Sequence, residues 1–156
     1  MIRLTKFIII FSLIALISSC GYTPIYSKKD SGFSIENIEF YGDRDVKKNI
    51  NSSIDSYKNI EDKEKKVSLI LVSSKSRTVS SKNSKGEAQI YRLNVEVKMK
   101  LILSENDFFE KTIMESGTYS AVKRKSVQKT IENKLIEDLS KQISRKIISE
   151  IIDKTK

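Results

Sequence analysis

Apolar and polar residues alternate through the middle of this chain. From Tyr91 to Leu103 every second residue is apolar, and most residues between them are charged or carry an amide. A period of two is typical of a strand that buries one face and exposes the other, and we predict such a strand over Ala88–Leu103. Shorter runs rich in β-branched and aromatic residues predict three more strands. These are Gly32–Gly42, Val67–Val79 and Phe108–Val122, the last with Gly117 as a candidate bulge position.

A first helix is predicted after the first strand, where apolar residues recur at helical spacing. Asp43 or Asp45 is suited to cap its start, because a carboxylate accepts hydrogen bonds from free helix amides and favours the positive helix end. The charged segment Asn59–Lys66 then predicts a loop before the second strand. The apolar positions of this helix are Val46, Ile50, Ile54 and Tyr57.

A second, longer helix is predicted over Ser126–Lys154, which contains neither glycine nor proline. Its apolar residues recur at every fourth position, so the stripe they form drifts by about 40° per step around a helix of 3.6 residues per turn. Either the helix curves over a twisted sheet, or its end, with the sequence KIISEII (146–152), is covered by a partner protein. The stripe consists of Val127, Ile131, Leu135, Leu139, Ile143, Ile147 and Ile151.

The predicted order of elements is therefore β-α-β-β-β-α. Tight turns at Lys82–Gly86 and Ser104–Asp107 join the last three strands as antiparallel hairpins. This order predicts an α+β fold, a two-layer sandwich in which two helices pack on one face of a four-stranded, mainly antiparallel sheet. We assign it to a single domain over residues 32–156, which is long enough to bury a core of its own.

The first 19 residues have the three parts of a secretory signal peptide. Arg3 and Lys6 provide the positive start, Phe7–Ile17 is almost entirely apolar, and the small residues Ser18 and Ser19 follow. The apolar run is shorter than the about 20 residues that a membrane-spanning helix needs. We therefore expect residues 1–19 to be removed; an uncleaved membrane anchor is the alternative.

Cys20 follows this segment directly and is the only cysteine in the chain. The residues Ile17-Ser18-Ser19-Cys20 resemble the lipobox of bacterial lipoproteins, in which the cysteine thiol accepts a diacylglyceryl group. The alternative is a buried structural cysteine or a disulfide, which the absence of a second cysteine in the chain disfavours. We expect Cys20 to carry acyl chains such as palmitate, with residues 20–31 as a tether. Several buried acyl chains attach a protein to a membrane effectively permanently.

The formal charge of +9 falls to +7 when Arg3 and Lys6 are removed with the signal peptide. Such a charge is common in nucleic-acid-binding proteins, but export makes nucleic acid an unexpected partner and favours anionic lipids or lipopolysaccharide phosphates. The chain has no histidine, and its one thiol would be acylated. Since the carboxylates are also unclustered, we expect no enzyme activity, no metal site and no cofactor beyond the covalent lipid.

Two basic segments are predicted to meet at one end of the sheet. Because antiparallel hairpins alternate ends, the turn between the second and third strands lies at the same end as the exit of the fourth. Arg77 and Arg92 flank this end. Converging arginines and lysines suit a phosphorylated ligand, although solvated lysine-rich loops are an equally simple explanation. The predicted binding residues are Lys82, Lys85, Lys123, Arg124 and Lys125.

Three segments together resemble the lipopolysaccharide-assembly lipoprotein family, LptE, in its alphaproteobacterial form. The first is CGYTPIY (20–26), and the second is GEAQIYRLNVEVKMKL (86–101). The third, YSAVKRKSVQKTIENKLIEDLSKQISRKI (119–147), is a last strand that runs into a long helix. The resemblance implies the same α+β fold. It also implies a protein that plugs the lumen of the outer-membrane barrel LptD and helps to deliver lipopolysaccharide.

The resemblance further implies that lipopolysaccharide is bound near the middle turn and just before the last helix. Those places correspond here to Lys82 and to Lys123, Arg124 and Lys125. A glycine after the lipobox cysteine, here Gly21, is similar to what lipoproteins of the outer membrane have at this position. We therefore expect the protein to be anchored in the outer membrane, on its periplasmic side. The alternatives are an unrelated outer-membrane lipoprotein that acts as a structural or interaction module, and an anchored hydrolase.

Overall fold

The computed structural model describes residues 32–61 and 63–156. The predicted signal peptide, the tether and Cys20 lie outside these residues. The described elements follow the predicted order, although the second strand is longer than expected and the fourth ends two residues earlier. They are β1 (Phe33–Gly42), α1 (Arg44–Ile54), a short 3₁₀ helix (Asp55–Tyr57), β2 (Lys65–Lys82), β3 (Ala88–Ser104), β4 (Asp107–Ser120) and α2 (Lys125–Lys154).

The four described strands form one mixed sheet in the order β1-β2-β3-β4. β1 runs parallel to β2 because α1 carries the chain back between them, whereas the two hairpins that follow are antiparallel. This architecture confirms the predicted α+β sandwich with a mainly antiparallel sheet. Neither described helix combines the length and the apolar character needed to span a membrane.

Register places the apolar residues of neighbouring strands side by side on the helix-facing side of the sheet. Leu69 pairs with Leu101 and Leu71 with Met99 across β2 and β3, and all four are at most 2% exposed. In β4 the corresponding position is Ile113, which pairs with Val97. The alternation along β3 therefore buries one face of the strand, as a period of two predicts. It also defines the register, because a one-residue slip would turn every apolar side chain to solvent.

Asp43 is the N-cap residue of α1, which resolves the choice between the two candidate caps. Asp43 Oδ1 accepts hydrogen bonds from the backbone N–H groups of Asp45 and Val46 at 3.0 and 3.1 Å. The N–H of Asp43 itself donates to Ser73 Oγ on β2 at 3.0 Å. The cap therefore fixes the start of α1 against the sheet.

The apolar stripe of α2, which drifts around the helix, is covered by other elements of the same chain. Ile143, Ile147 and Ile151 have no exposed surface, and Ile148 is 5% exposed. α2 packs against β3 and β4 on one side and against α1 on another. The sheet and α1 together therefore cover an apolar stripe that one sheet face could not cover. The chain itself therefore covers most of the apolar residues of the KIISEII segment, so their pattern does not require a partner protein. The exposed part of the stripe lies at the opposite end of α2, at Val127.

Gly117 does not mark a bulge, contrary to the prediction. It pairs with Leu93 in regular register, and the only irregularity between β3 and β4 lies near Ile102 and Ser104. A Cβ atom at Gly117 would lie 2.7 Å from Cδ1 of Leu135. The glycine therefore lets α2 approach β4 closely, a reason that depends on packing rather than on strand geometry.

Candidate anion-binding site at the basic end

The turn between β2 and β3 is held in one conformation by Asn83. Its Oδ1 accepts hydrogen bonds from the backbone N–H groups of Lys85 and Glu87, each at 2.9 Å, and its Nδ2 donates to Glu87 Oε2 at 2.8 Å. Gly86 occupies the left-handed region with φ 81°, which glycine adopts without strain. This turn presents Lys82 and Lys85 to solvent on a defined backbone.

The chain leaving β4 is joined to the base of the same hairpin. The N–H of Ala121 donates to the carbonyl oxygen of Gln89 at 2.8 Å, and Ser120 pairs with Ile90. Lys123 follows two residues after this contact. Both predicted basic segments thus lie at one end of the sheet, as the hairpin argument expects. We call this region, with Lys82, Lys85, Lys123, Arg124 and Lys125, the basic end.

The start of α2 adds positive charge to the basic end. Arg124 is the N-cap residue and makes no side-chain capping hydrogen bond, and the first turn contains no acidic residue. The free N–H groups and the positive pole of a helix normally attract acidic or hydroxyl side chains at this position. Here lysine and arginine occupy it instead, so the local field favours an anion from outside the chain.

The five side chains of the basic end are exposed, and within residues 32–61 and 63–156 none of them forms an ion pair. Many other cations of the described chain are paired, for example Lys111 with Glu150 and Lys146 with Glu115. The positive charge at the basic end is therefore not compensated by the protein. It is available to a phosphate or another anion.

A cleft of about 540 Å³ continues the basic end onto the helix side of the sheet. We call it the helix-side cleft. The first turn of α1, β2 and the first turns of α2 line it, and Lys125 belongs both to it and to the basic end. The sequence patterns described above did not predict this cleft. Its signal in the sequence is the spacing of Lys125 and Lys129 on one helix face, together with Lys75 and Arg77 on one strand face. Its charged lining residues are Asp45, Lys75, Arg77, Lys125, Lys129 and Glu132.

Arg77 and Lys75 are held differently within this cleft. Lys75 Nζ bridges Asp43 and Asp45 at 3.0 and 2.9 Å, and although burial alone would lower the pKa of Lys75, these carboxylates raise it. Arg77 Nη1 contacts Glu132 Oε2 at 3.1 Å, and its guanidinium lies 5.0 Å from the centroid of the Tyr91 ring. Lys75 is therefore part of the cap that fixes α1, whereas Arg77 is held by one carboxylate oxygen.

Tyr119 completes the contact between Arg77 and Glu132. Its hydroxyl donates to Glu132 Oε2 at 3.0 Å. The hydroxyl of Tyr119 and the charge of Glu132 together raise the pKa of Arg77, while burial is the main cause of a raised pKa at Tyr119. Arg77 is thus firmly cationic, and a single oxygen of Glu132 serves two donors.

Arg77 and Arg92 both lie near the basic end, but on opposite faces of the sheet. Arg77 pairs with Leu93, which faces the helices, whereas Arg92 precedes Leu93 and points to the open face. The two arginines therefore do not act on one ligand at the same place. Only Arg77 lines the helix-side cleft.

The open face of the sheet carries a separate set of exposed apolar side chains between its middle and the end opposite the basic end. Tyr41, Val72, Phe108 and Met114 are each between 45% and 56% exposed. Lys100 lies over the Phe108 ring, 4.0 Å from its centroid, and pairs with Glu110 at 3.2 Å. In the described part of the chain, no group of acidic, histidine or cysteine side chains is arranged to hold a metal ion.

Comparison with known proteins supports the fold. No protein-family model matches the chain, and no curated protein sequence matches it. Among solved structures, rare lipoprotein B from Shewanella oneidensis matches with a TM-score of 0.59 and 16% identity over 76% of this chain and 96% of that chain. A minor lipoprotein from Acinetobacter baumannii matches with a TM-score of 0.53 and 15% identity over 75% and 92% of the two chains.

Lipoprotein B from Nitrosomonas europaea matches with a TM-score of 0.57 and 13% identity, over 80% of this chain and 88% of that chain. These three structures span most of the described residues, and this chain spans nearly all of each of them. At such low identities the similarity is one of fold. The chain therefore has the fold of a group of bacterial lipoproteins.

Proposed function

We propose that this chain is a non-enzymatic outer-membrane lipoprotein that plugs an LptD-type barrel and assists lipopolysaccharide assembly. In this proposal Cys20 carries the lipid anchor, the folded domain lies on the periplasmic side, and the basic end binds phosphates of lipopolysaccharide. Two features support the anchoring part. The lipobox-like residues directly follow the apolar run of the predicted signal peptide, and the structures that share the fold of the domain are lipoproteins.

The observation that carries the binding part is the uncompensated charge at the basic end. Lys123, Arg124 and Lys125 stand at an uncapped helix N-terminus, beside a rigid turn that holds Lys82 and Lys85. Like charges at the positive pole of a helix destabilise the free protein slightly. A phosphorylated ligand would satisfy the free amides and the cations together, because phosphate accepts charge-assisted hydrogen bonds from both.

Binding to lipopolysaccharide is tested with a four-residue variant and a control of equal charge. Four exposed contacts of about 0.5 kcal/mol each sum to about 2 kcal/mol, so we expect a roughly thirtyfold rise in the Kd for detergent-dispersed lipopolysaccharide. The control should change the Kd by less than about threefold, and equal losses in both would contradict a local site. The test variant replaces Lys82, Lys123, Arg124 and Lys125 with Gln; the control replaces Lys47, Lys48, Lys98 and Arg145, which are also exposed, with Gln.

Assembly with a barrel is tested by purifying the tagged full chain from bacterial envelopes in mild detergent. We expect a large β-barrel protein to be recovered with it in a stable ratio. The Cys20→Ser variant should lose its acyl modification, detected by mass spectrometry, and move to the soluble fraction. Failure to recover any barrel with the lipidated protein would contradict the plug function.

A second candidate function is a lipoprotein that acts as an interaction module without contacting lipopolysaccharide. The exposed apolar side chains of the open face, led by Tyr41, Phe108 and Met114, favour a protein interface there. Unchanged lipopolysaccharide binding in the four-residue variant, together with loss of a protein partner when Phe108 and Met114 are replaced with Ser, would favour this function over the first.

A further inference from the structure

The residues that line the helix-side cleft carry two more positive than negative charges, and Asp43, which pairs with Lys75 beside them, reduces the excess to one. The cleft is a half-open groove of about 540 Å³ on the surface, so an anion can reach it from solvent. Lys75 is neutralised by the capping carboxylates Asp43 and Asp45. Lys125 and Lys129 form no ion pair in the described part of the chain, and they lie on one face of α2 at positions i and i+4. Like charges at this spacing repel each other, and an anion between them would remove the repulsion.

Arg77 is positioned to receive such an anion. A guanidinium has five N–H donors in a planar fork; Arg77 uses Nη1 for Glu132 and also interacts with the Tyr119 hydroxyl, which leaves further donors for an anion. The side chain is supported from the sheet by the Tyr91 ring and is 45% exposed, so it is oriented without being enclosed. Arginine prefers to bind phosphate through two parallel hydrogen bonds, an arrangement that one oxygen of Glu132 does not offer.

Glu132 also has a second partner that remains if Arg77 leaves it. Tyr119 donates its hydroxyl hydrogen to the same Oε2 atom at 3.0 Å. A phosphate with two negative charges competes well with a single carboxylate charge for one guanidinium. The displaced carboxylate would keep its hydrogen bond to Tyr119 and would not be left unpaired, which lowers the cost of the exchange.

We propose that the helix-side cleft binds a phosphate monoester, and that Arg77 exchanges the carboxylate of Glu132 for two phosphate oxygens while Lys125 and Lys129 add point charges. Glu132 is then an internal competitor that occupies Arg77 in the free protein. This inference rests on the proposed function, because that function supplies a phosphorylated lipid as the source of the phosphate group. Its chemistry applies equally to free phosphate.

Two pairs of variants of the full chain, purified in non-ionic detergent, test the exchange. Arg77→Gln should raise the Kd for the phosphate probe about tenfold or more, since a hydrogen bond to a charged group is lost. Arg92→Gln has the same charge change on the next strand but on the opposite face, and should change the Kd by less than about twofold. Equal effects of the two substitutions would overturn the proposal.

Glu132→Gln gives a gain of affinity that misfolding cannot mimic. Glutamine keeps an oxygen acceptor for Tyr119 but no longer competes as a charge, so the Kd should fall by about three- to tenfold. Glu137→Gln is the control, because it removes the same charge from the same helix outside the cleft. No tightening beyond that of the control would also overturn the exchange.

The source of the phosphate is resolved by three probes, with the Arg77 side-chain N–H signals followed by NMR. The probes are inorganic phosphate, diphosphorylated lipid A in detergent and the same lipid after dephosphorylation. A shift with inorganic phosphate supports a site for free phosphate, and a shift with only the phosphorylated lipid supports a lipid head group. A shift with the dephosphorylated lipid, or no shift with any probe, overturns the proposal.

The inference and the proposed function can fail separately. If the four-residue variant of the basic end loses lipopolysaccharide binding while Arg77→Gln has no effect, the cleft is not a phosphate site and the proposed function stands. If phosphate binding depends on Arg77 but no barrel is recovered from envelopes, the plug function fails and the cleft site stands.

Discussion

Gly42, where β1 ends and α1 begins, is the position at which one added methyl group should destabilise the protein most clearly. Its φ of +99° lies in the left-handed region, and a Cβ atom there would be 2.0 Å from the carbonyl oxygen of Ser73 on β2. That oxygen belongs to the backbone and cannot rotate away. Gly42→Ala therefore requires β1 and β2 to separate at this point.

The cost follows from the contacts at this junction. A left-handed backbone costs a residue with a Cβ about 1–2 kcal/mol. Separating the strands also lengthens the hydrogen bond from Asp43 N–H to Ser73 Oγ, now 3.0 Å, which contributes about 1 kcal/mol. Displacing Asp43 weakens the α1 cap by about 1 kcal/mol more. We expect a loss of about 3–4 kcal/mol, a large fraction of the about 5–15 kcal/mol of a typical domain.

Urea unfolding of the full chain, followed by circular dichroism, measures this loss. Gly86→Ala is the matched control, because Gly86 also has a positive φ of 81° but a Cβ there would meet no atom within 4 Å. The control should therefore lose only the backbone part, about 1 kcal/mol. Equal losses in the two variants would refute the steric explanation, and a neutral Gly42→Ala would show that β1 and β2 do not approach each other this closely.

Three further substitutions test other parts of the fold. Ile143→Ala removes a fully buried side chain and should lower the free energy of unfolding in urea by about 3 kcal/mol, whereas Val127→Ala, at an exposed position, should lower it by less than about 1; similar losses would contradict the burial of α2. Although burial alone would raise it, hydrogen bonds from Val46 and Lys75 hold the pKa of Asp43 below its usual 3.8, so the stability that its charge provides is present above that value and declines as the pH falls through the lower pKa of the folded state. The stability difference between wild type and Asp43→Asn should therefore shrink below about pH 4 in acid titrations, and a constant difference would contradict the charge effect. Gly117→Ala should cost less than about 1 kcal/mol by thermal melting, because it meets only the flexible end of a leucine side chain, and a larger loss would mean that α2 cannot adjust.

The order of elements and the buried faces were predictable because they depend on local periodicity. The alternation from Tyr91 to Leu103 specifies which side of β3 is buried, and the spacing of Val46, Ile50 and Ile54 does the same for α1. The meeting of the two basic segments was also predictable, since hairpin connectivity alone determines which turns share an end of the sheet. The opposite faces of Arg77 and Arg92 follow from the same period of two.

The helix-side cleft was not predictable from these rules. It exists because the start of α1, the middle of β2 and the first turns of α2 pack around one volume, and local patterns do not specify how two helices pack against each other. The same limit applies to the contact of Arg77 with Glu132, whose residues are 55 positions apart in the chain. Long-range pairs of this kind depend on where each helix packs, and the periodicity of residues within a helix or strand does not determine that position.

The sequence by itself determined the elements, their buried faces and the end of the sheet at which positive charge collects. Tertiary structure alone decided what covers each apolar surface. The KIISEII segment has the same pattern whether α1 or a partner protein lies against it, because periodicity records that a face is apolar and not which neighbour meets it. Gly117 shows the same difference. The sequence shows a glycine in the strand, but only the position of Leu135 on α2 explains why a side chain would be crowded there.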